Sequence, residues 1–305
     1  TVIIDDHHYD IIIVGSGAGG GTLAGSLSRE GRSVLVLERG EAVEDGWQNR
    51  PRVKDDFWFG PDGDPFSPQT FYAVGGNTKI WGAVLERMRE KDFSDLPLQE
   101  GISPAWPFDY NHLAPYYDQA ETIYRVHGKA GVDPTEPSRS KGFDHSPRPV
   151  MPFLEELREG LLRQGCQPYD LPLSWSDNAS SPVGDAELCG LATADTSNLE
   201  IRHKAKVLRL HVSPSGREVK KVEADVDGEI WLFSSDLVVL AGGAINTPAI
   251  LLRSGNERHP SGLSNQSDQV GRNLMNIQIT SILQRSAAPN SGRYPRSYGV
   301  NDYYW

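Results

Sequence analysis

The spacing of apolar residues changes twice near the start of the chain, which predicts a strand, a helix and a second strand. An apolar run over Tyr9–Val14 has the length of a buried strand. Ala24 and Leu27 then lie on one face of a helical stretch that ends near Arg29. A second apolar run follows at Ser33–Leu37. A strand, a helix and a strand within about thirty residues predict a βαβ unit with two parallel strands.

Glycines and one acid occupy the connections of this unit. The first strand runs into Gly15-Ser-Gly-Ala-Gly-Gly20, and Glu38 follows the second strand. Gly15 allows a tight turn, Gly17 leaves room for a pyrophosphate, and Gly20 lets the helix pack close to the strand. The helix N-terminus offers free N–H groups to phosphates. Because a carboxylate accepts ribose hydroxyls and repels a 2′-phosphate, Glu38 indicates FAD or NAD rather than NADP.

Beyond Glu38 the pattern predicts a long surface loop and two amphipathic helices. Residues Glu41–Gln69 show no clear period, as is typical of a functional loop. One helix is predicted after Trp106, with Asp109 as its N-terminal cap, and another over Met151–Gln164. The apolar positions of the two helix faces are Leu113, Tyr116, Tyr117 and Ala120 in the first, and Leu154, Leu157, Leu161 and Leu162 in the second.

Strands dominate after Leu199. Turn signals at Pro214–Gly216 and Asp227-Gly228 separate three alternating segments, which predict an antiparallel ribbon. A buried apolar strand and a helix should follow it. The predicted ribbon strands are Lys206–Val212, Glu218–Val226 and Glu229–Phe233, the buried strand is Asp236–Ala241, and the helix is Asn246–Ser254.

Composition excludes several classes of function. The chain has 305 residues, with 30 Lys and Arg against 41 Asp and Glu, so its formal net charge is −11. This acidity disfavours nucleic acid and anionic membranes as partners, and no apolar run reaches membrane-spanning length. Cys166 and Cys189 lack CxxC spacing, and the histidines lack metal-ligand spacing, so no metal site is expected. Two cysteines favour a reducing compartment such as the cytoplasm.

Two further glycine pairs stand at places where backbone could approach a ligand. Gly75-Gly76 follows the short apolar stretch Phe71–Val74, and Gly242-Gly243 follows the predicted buried strand. Either pair taken singly is more typical of an ordinary turn. The carboxyl ends of strands are, however, where open α/β sheets bind ligands. Three such places together indicate one large, extended cofactor.

The longer segments around these pairs carry a family resemblance. Gly75–Gly82 reads Gly-Gly-Asn-Thr-Lys-Ile-Trp-Gly and resembles the segment along the flavin ring of glucose-methanol-choline (GMC) oxidoreductases, which are FAD-dependent alcohol oxidases and dehydrogenases. Gly243–Gly255 resembles the second signature of that family. The chain departs from this signature only at Asn256, where an aliphatic residue is usual. Val270–Leu274 is similar to the segment beneath the flavin, although Asn276-Ile277 replaces the more common Asp-His.

The resemblance implies an α/β fold, with a Rossmann-like FAD-binding domain that carries a β-meander and part of an α+β substrate-binding domain. The first domain is expected at 1–95 and 200–280, and the second at 96–199 and 281–305, with its C-terminal part missing. The implied FAD contacts are Gly15, Gly17, Ala18, Gly20, Glu38, Arg39, Gly75, Gly76, Asn77, Thr78, Trp81, Gly82, Ala83, Val207, Ala241, Gly242 and Asn246.

Within the family, the chain is most similar to pyranose oxidases and to bacterial C-glycoside 3-oxidases. The support is Gly75–Trp81, the stretch from Trp106 to Tyr117, and the ending Val300–Trp305. The implied reaction oxidises a secondary hydroxyl of a sugar or glycoside, with oxygen or a quinone as acceptor. Fungal pyranose oxidases attach the flavin through a histidine where this chain has Ile80, so a noncovalent FAD is expected.

The resemblance also leaves parts of the site open. The family's catalytic His/Asn pair should lie beyond Trp305, and the eight histidines of the chain are interpreted as structural. Trp81 either stacks near the flavin or belongs to the core. The same alternatives, a sugar site or the core, hold for the aromatic residues near the end of the chain. These residues are Tyr298, Tyr303, Tyr304 and Trp305.

Three readings of the function therefore compete. An FAD-dependent oxidoreductase, acting on a sugar or on another alcohol or polyol, uses all the motifs. An NAD-dependent dehydrogenase leaves Gly75–Gly82 and Gly243–Gly255 unexplained, and a non-redox flavoprotein of the same fold needs no catalytic pair. A homo-oligomer, or a second chain that completes the active site, is also considered. Residues are expected to be missing near Val183-Gly184 and Gly190-Leu191.

Overall fold

The computed structural model describes residues 2–42, 58–59, 62–63, 65–66, 70–79, 81–98, 101–150, 152–175, 197–275, 282 and 298–305. The strands are β1 (Val2–Val14), β2 (Val34–Leu37), β3 (Trp58–Phe59), β4 (Pro65–Phe66), β5 (Leu96–Leu98), β6 (Gly101–Ser103), β7 (Val126–His127), β8 (Pro168–Asp170), β9 (Leu173–Ser174), β10 (Leu199–Arg202), β11 (Ala205–Val212), β12 (Val219–Val226), β13 (Glu229–Leu240) and β14 (Tyr298–Val300). The helices are α1 (Ala18–Arg29), α2 (Tyr110–Ile123), α3 (Pro152–Arg163) and α4 (Gly243–Arg253), with short 3₁₀ turns at Gly76–Lys79 and Glu90–Phe93.

The chain divides into two compact units. The first consists of Thr1–Trp81 and Ala186–Ser281, and the second of Gly82–Asp185 and Ile282–Trp305. The sequence-based division into an FAD-binding and a substrate-binding domain, with boundaries at residues 95/96 and 199/200, stays a prediction. Among the described residues, none of the helices has both the length and the apolar character needed to cross a bilayer. The sequence junctions suspected at Val183-Gly184 and Gly190-Leu191 lie outside the described residues, as does Cys189.

A six-stranded sheet forms the centre of the first unit, in the order β10-β2-β1-β13-β12-β11. β1 pairs in parallel with both β2 and β13, and β2 pairs in parallel with β10. β11, β12 and β13 are antiparallel. The predicted βαβ unit and the predicted antiparallel ribbon are therefore both confirmed, and they belong to one continuous sheet.

Apolar side chains alternate between the two faces of this sheet. Ile12, with Leu35 and Leu37 of β2, faces a core that the meander strands and α4 complete. Ile11 and Ile13 face the opposite side, where Ala24 of α1 packs. Because both faces of β1 and β2 are covered, the two strands read as unbroken apolar runs.

Two strands are longer than the sequence predicts. β13 is one strand over Glu229–Leu240, so the predicted division into Glu229–Phe233 and Asp236–Ala241 is wrong. Ser235, which seemed to interrupt the pattern, is buried and pairs with Tyr9 in the ladder. β1 begins at Val2 because its polar first half continues this parallel pairing, and His7 and His8 lie in it with exposed side chains.

The strand before Gly242 is less buried than predicted. Leu237 is 54% exposed, and Val238–Leu240 are only partly buried. The helix that follows begins at Gly243, three residues before the predicted start at Asn246. Gly243 has a φ of 81°, a conformation that glycine adopts without steric cost.

The two helices of the second unit form where predicted, with less burial than expected. Asp109 caps α2 by accepting a hydrogen bond from the N–H of His112 at 3.2 Å. Tyr116 is 64% exposed, so its assignment to the buried face is wrong. In α3 the leucine face is only partly covered by the described residues, since Leu157 and Leu162 are about half exposed.

A network of buried ion pairs lies beside α2. The side chain of Arg87 is buried and donates to both carboxylate oxygens of Glu121, at 2.8 and 2.7 Å. It also donates to Asp118 at 2.7 Å and to the hydroxyl of Tyr110 at 3.0 Å. Burial alone would raise the pKa of Asp118, but hydrogen bonds from Ser140 and Arg87 outweigh it and hold that pKa below its usual value.

Gly20 lets α1 approach β1 more closely than any other residue type would. A Cβ at Gly20 would lie 1.9 Å from the carbonyl oxygen of Gly15 and 3.2 Å from the Cβ of Ala241. The Gly20→Ala variant should therefore lose at least about 2 kcal/mol of stability, because backbone must move to make room. Gly19→Ala is the matched control, since a Cβ there meets nothing within 4 Å. Thermal unfolding of both variants without cofactor checks this, and equal melting temperatures would contradict it.

The network around Arg87 should behave as buried charge. Arg87→Met removes the buried cation that Glu121 and Asp118 share and leaves Arg139 as the remaining ion-pair partner of Glu121. We therefore expect a loss of about 3 kcal/mol in the free energy of unfolding. Arg163→Met is the control, because Arg163 is 70% exposed and lies 3.8 Å from Glu159, and an exposed pair contributes about 1 kcal/mol or less. Denaturant unfolding measures both. A similar small loss in the two variants would show that the network is not stabilised by Arg87.

Candidate functional site

A cleft of about 430 Å³ lies in the first unit, at the carboxyl ends of β1, β2 and β13. Both α1 and α4 begin at its edge. This is the position at which open α/β sheets bind ligands. Its lining residues are Val14, Gly15, Ser16, Gly17, Ala18, Gly19, Leu37, Glu38, Arg39, Thr70, Phe71, Tyr72, Gly76, Asn77, Thr78, Ala205, Lys206, Val207, Ala241, Gly242, Gly243, Ala244, Ile245, Asn246, Ile250 and Arg253.

The first glycine loop forms one wall of the cleft. Gly15 has a φ of 99°, and its N–H donates to the carbonyl of Leu37 at 2.9 Å. Gly17 caps α1, and a Cβ there would have one neighbour, the carbonyl oxygen of Gly75 at 3.8 Å. The first turn of α1 holds no acidic residue. The positive dipole end of the helix can therefore attract phosphate.

Glu38 is held at the end of β2 by three donors. It is 6% exposed. One carboxylate oxygen, Oε2, accepts from the N–H of Ser16 at 3.0 Å and from its hydroxyl at 2.6 Å. The other oxygen, Oε1, accepts from the N–H of Gly40 at 2.8 Å. The acid that the sequence assigns to the ribose thus lines the cleft as a fixed group with acceptor capacity left.

The second glycine segment lies beside the first. Gly75 and Gly76 have φ angles of 95° and 56°, and the N–H of Gly75 donates to the hydroxyl of Ser16 at 2.9 Å. Thr78 donates from its hydroxyl to the carbonyl of Gly75 at 2.6 Å, which fixes the turn. Asn77 accepts from the N–H of Phe71 at 2.7 Å. The two motifs are 59 residues apart in the chain and adjacent in the cleft.

The third segment completes the cleft at the start of α4. Gly242 is the residue before the helix, and the N–H of Ala241 donates to the carbonyl of Val14 at 2.8 Å. Asn246 lies one turn into the helix and lines the cleft, as does the buried Val207 of β11. Three segments predicted from glycine pairs therefore meet around one cavity.

Basic side chains around the cleft were not singled out from the sequence, except for Arg39. The guanidinium of Arg39 lies 4.0 Å from the centre of the Tyr72 ring, a cation–π contact. Lys206 and Arg253 also line the cleft. Together these cations outnumber Glu38 and favour an anionic ligand such as a diphosphate. Lys206 belongs to no motif, and the segment Gly243–Gly255 does not by itself show that Arg253 lines the cleft, so only the fold could identify the two residues.

Ser16 is the other residue that the motif reading missed. It is fully buried and contacts both Glu38 and Gly75. A serine between motif glycines reads as a turn residue. The sequence signal that could have identified Ser16 was a small side chain with a hydroxyl, in a loop that must pack closely against the sheet.

Some predicted contacts lie outside this cavity. Among the described residues, Gly20, Gly75 and Trp81 do not line it, and Gly20 and Gly75 pack behind the lining. Gly82 and Ala83 belong to the second unit, where the carbonyl of Ala83 accepts from the N–H of Ser174 at 2.9 Å. Ile80, Asn276 and Ile277 lie outside the described residues. Contacts of Trp81, Gly82 and Ala83 with a flavin stay predictions.

The histidines contact other residues of the fold, and their structural interpretation stays a prediction. His211 contacts Glu223 at 2.6 Å, and His259 contacts the carbonyl of Gly216 at 2.8 Å. His127 stacks on His145 with ring centres 4.9 Å apart. None of the eight lines the cleft, and no group of metal ligands occurs among the described residues.

The aromatic residues near the end of the chain are not core residues of the second unit. Tyr303 is 86% exposed, Tyr304 42% and Trp305 52%. Tyr298 is partly buried and donates to Glu155 at 2.9 Å. The core reading is therefore wrong for the last three, and a role in sugar binding stays a prediction.

The cleft fits the ADP part of a dinucleotide. Its volume lies in the usual range for ligand sites, about 300–1,000 Å³. The N-terminus of α1 can bind phosphate, and the buried carboxylate of Glu38 can accept hydrogen bonds from ribose. The glycine at position 17 leaves the space that a side chain would fill. No residue with a covalent attachment chemistry is needed for this fit.

Comparisons with known proteins agree with this geometry. The profile of a family described as GMC oxidoreductase matches residues 9–278. A 2-methyl-1,2-propanediol dehydrogenase from Mycolicibacterium austroafricanum is 29% identical over 87% of this chain and 54% of its own length. A paromamine 6′-oxidase from Streptomyces fradiae is 30% identical over 88% and 54%, respectively. The large subunit of a fructose dehydrogenase from Gluconobacter japonicus is 26% identical over 92% and 60%.

A solved structure confirms the fold class. The pyridoxine 4-oxidase from Mesorbium loti superposes with a TM-score of 0.56 at 22% identity, over 81% of this chain and 52% of that one. The predicted α/β class with a Rossmann-like FAD-binding fold is thereby confirmed. The chain spans about half the length of the curated relatives it matches.

Gly17 separates folding from ligand binding in this site. A Cβ at position 17 makes only an ordinary contact at 3.8 Å, so Gly17→Ala should fold normally. The added methyl would occupy space beside the phosphates, and we expect the dissociation constant for FAD to rise at least about tenfold. Fluorescence titration of the cofactor-free protein with FAD measures this, with its melting temperature as the folding control. Unchanged affinity would place the diphosphate elsewhere.

Proposed function

Because the chain belongs to the GMC oxidoreductase family, we propose that the whole protein is an FAD-dependent enzyme that oxidises a secondary hydroxyl of a sugar or glycoside. FAD is the cofactor of the cleft. The single observation that carries the proposal is the meeting of three glycine segments, the acid Glu38 and two helix N-termini around one cavity. An NAD-dependent enzyme would need only the first segment.

Each group of residues has a definite task toward the cofactor. The N-terminus of α1, with Gly15 and Gly17, would bind the diphosphate, and Glu38 would accept the ribose hydroxyls. Asn77 and Thr78, which line the cleft in the second glycine segment, would contact the cofactor there. When bound, the flavin would supply the redox chemistry by accepting at N5 the hydride of the substrate's carbinol carbon. Release of FAD on denaturation is expected, since Ile80 cannot form a covalent link to it.

The substrate class rests on sequence similarity. Resemblance to pyranose oxidases and C-glycoside 3-oxidases supports a pyranose oxidised at C2 or C3, and one relative is named for fructose. We place substrate binding at 96–199 and 281–305, and the proton-accepting His/Asn pair beyond Trp305. Oxygen or a quinone would reoxidise the flavin, in a bacterial cytoplasmic protein that is either a homo-oligomer or completed by a second chain.

A second candidate is the oxidation of another alcohol or polyol. It is favoured by the relative named for 2-methyl-1,2-propanediol, which is 29% identical to this chain. The two candidates share the cofactor, the cleft and the reaction type. They differ only in the substrate that the second unit would bind.

Anaerobic reduction of the bound flavin tests the proposal directly. Full-length protein should carry yellow FAD, and a panel of pyranoses, glycosides and small diols should be added without oxygen. We expect at least one sugar or glycoside to bleach the flavin absorbance. No small diol should bleach it faster than that sugar or glycoside does. Product analysis then identifies the carbon oxidised.

The controls separate cofactor from substrate. Acid denaturation should release FAD quantitatively into the supernatant, and flavin that stays with the protein would contradict noncovalent binding. Bleaching by diols alone would favour the second candidate. A flavin that dithionite reduces but no alcohol reduces would refute the proposed activity, and purified protein without flavin would refute the cofactor.

A further inference from the structure

The hydroxyl of Ser16 lies where three segments of the cleft meet. Ser16 itself is completely buried. Its hydroxyl donates to Oε2 of Glu38 at 2.6 Å and accepts from the N–H of Gly75 at 2.9 Å. Its own N–H donates to the same oxygen of Glu38 at 3.0 Å. One small side chain thus connects the first glycine loop, the end of β2 and the second glycine segment.

The hydrogen bonds of Glu38 determine which of its oxygens can receive a ligand. A carboxylate offers about two acceptor sites on each oxygen. Both sites of Oε2 are used by Ser16, and one site of Oε1 is used by the N–H of Gly40 at 2.8 Å. The remaining site is on Oε1. A ribose hydroxyl would therefore bind to Oε1, and Ser16 keeps the carboxylate turned so that this oxygen is the one available.

The bond to Gly75 has a separate effect on the second segment. Gly75 is buried, and its N–H has the hydroxyl of Ser16 as acceptor. The carbonyl of Gly75 in turn accepts from the hydroxyl of Thr78 at 2.6 Å. Ser16 thereby fixes the turn that carries Gly76–Thr78 to the wall of the cleft. An unpaired N–H at this buried position would carry a desolvation penalty and would destabilise the present conformation of the segment.

We propose that Ser16 is a positioning residue for FAD, which pre-organises the cleft by setting the orientation of Glu38 and the place of Gly75 before the cofactor binds. Its hydroxyl donates its one proton to Glu38 and accepts from the N–H of Gly75, so it acts through Glu38 and Gly75. Groups held in advance in the binding geometry lower the entropic cost of association. This inference rests on the FAD site of the proposed function and is independent of the substrate.

Ser28 provides the matched control for a buried serine. It lies in α1, is also completely buried, and its hydroxyl donates to the carbonyl of Gly25 at 3.4 Å. It does not line the cleft. Ser28→Ala therefore removes a buried hydroxyl of equal size without touching Glu38 or Gly75.

The experiment compares FAD affinity and stability in cofactor-free full-length protein. Ser16→Ala should raise the FAD dissociation constant roughly tenfold to a hundredfold, because it loses one bond to a charged acceptor and leaves one N–H unpaired. Ser28→Ala should change it less than about twofold. A structural role alone would lower the melting temperature of Ser16→Ala equally with and without FAD. The positioning role predicts a larger loss with FAD, and an equal loss would overturn it.

A double-mutant cycle tests whether Ser16 acts through Glu38. In the Glu38→Gln background, Ser16→Ala should weaken FAD binding by clearly less than in the wild type, since coupled residues are not additive. Full additivity of the two effects would overturn the link to Glu38. Amide hydrogen exchange in the cofactor-free wild type gives a second measurement that needs no variant. The N–H of Gly75 should be protected before FAD is added, and fast exchange would overturn the link to Gly75.

These outcomes differ from a failure of the proposed function. If the wild-type protein binds FAD but oxidises no sugar, the proposed activity fails, and the FAD affinity measurements still decide the role of Ser16. Wild-type binding with an unchanged Ser16→Ala variant refutes only the positioning role. Absence of FAD binding by the wild type refutes both.

Discussion

The close contact between Gly20 and the carbonyl of Gly15 is the constraint on which the cofactor site depends. Only a residue without a side chain lets α1 begin directly against the end of β1. Because the helix starts there, its first residues, Ala18 and Gly19, line the cleft, and the loop between Gly15 and Gly17 follows the edge of the sheet. A wider separation would point the same helix away from the phosphates. The affinity for an anionic cofactor is thus a consequence of packing as much as of charge.

The sheet adds the second requirement, which is a fixed position for every segment around the cleft. β1 is paired on both sides, by β2 and β13, and both of its faces are covered. The ends of these three strands are therefore rigid, and they carry Gly15, Glu38 and Gly242 to one edge. Rigid elements hold binding groups more accurately than loops do. The antiparallel meander continues the same sheet, so the cofactor site and the ribbon share one core.

The local motifs could be predicted because each depends on a short stretch of chain. The strand–glycine–helix–acid unit, the cap at Asp109 and the resemblance to the GMC family as a whole were confirmed. Errors arose where a long-range partner decides the structure. Ser235 looked like a break in a strand until its pairing with Tyr9 was known, and Tyr116 looked like a core residue although its side of α2 is exposed. In both cases the pattern is correct locally and the neighbour across space overrides it.

The sequence by itself determined the βαβ unit, the preference for an unphosphorylated ribose and the membership of a flavoprotein family, because glycine, apolar period and acid act through the nearest backbone. Only the tertiary structure decided which residues share the cleft. Ser16 and Gly75 are 59 residues apart, and the local sequence around Lys206 and Arg253 does not show that both residues line the cleft. Hydrogen bonds and charge act over a few ångströms in space, and the chain distance between the partners leaves no trace in the local pattern.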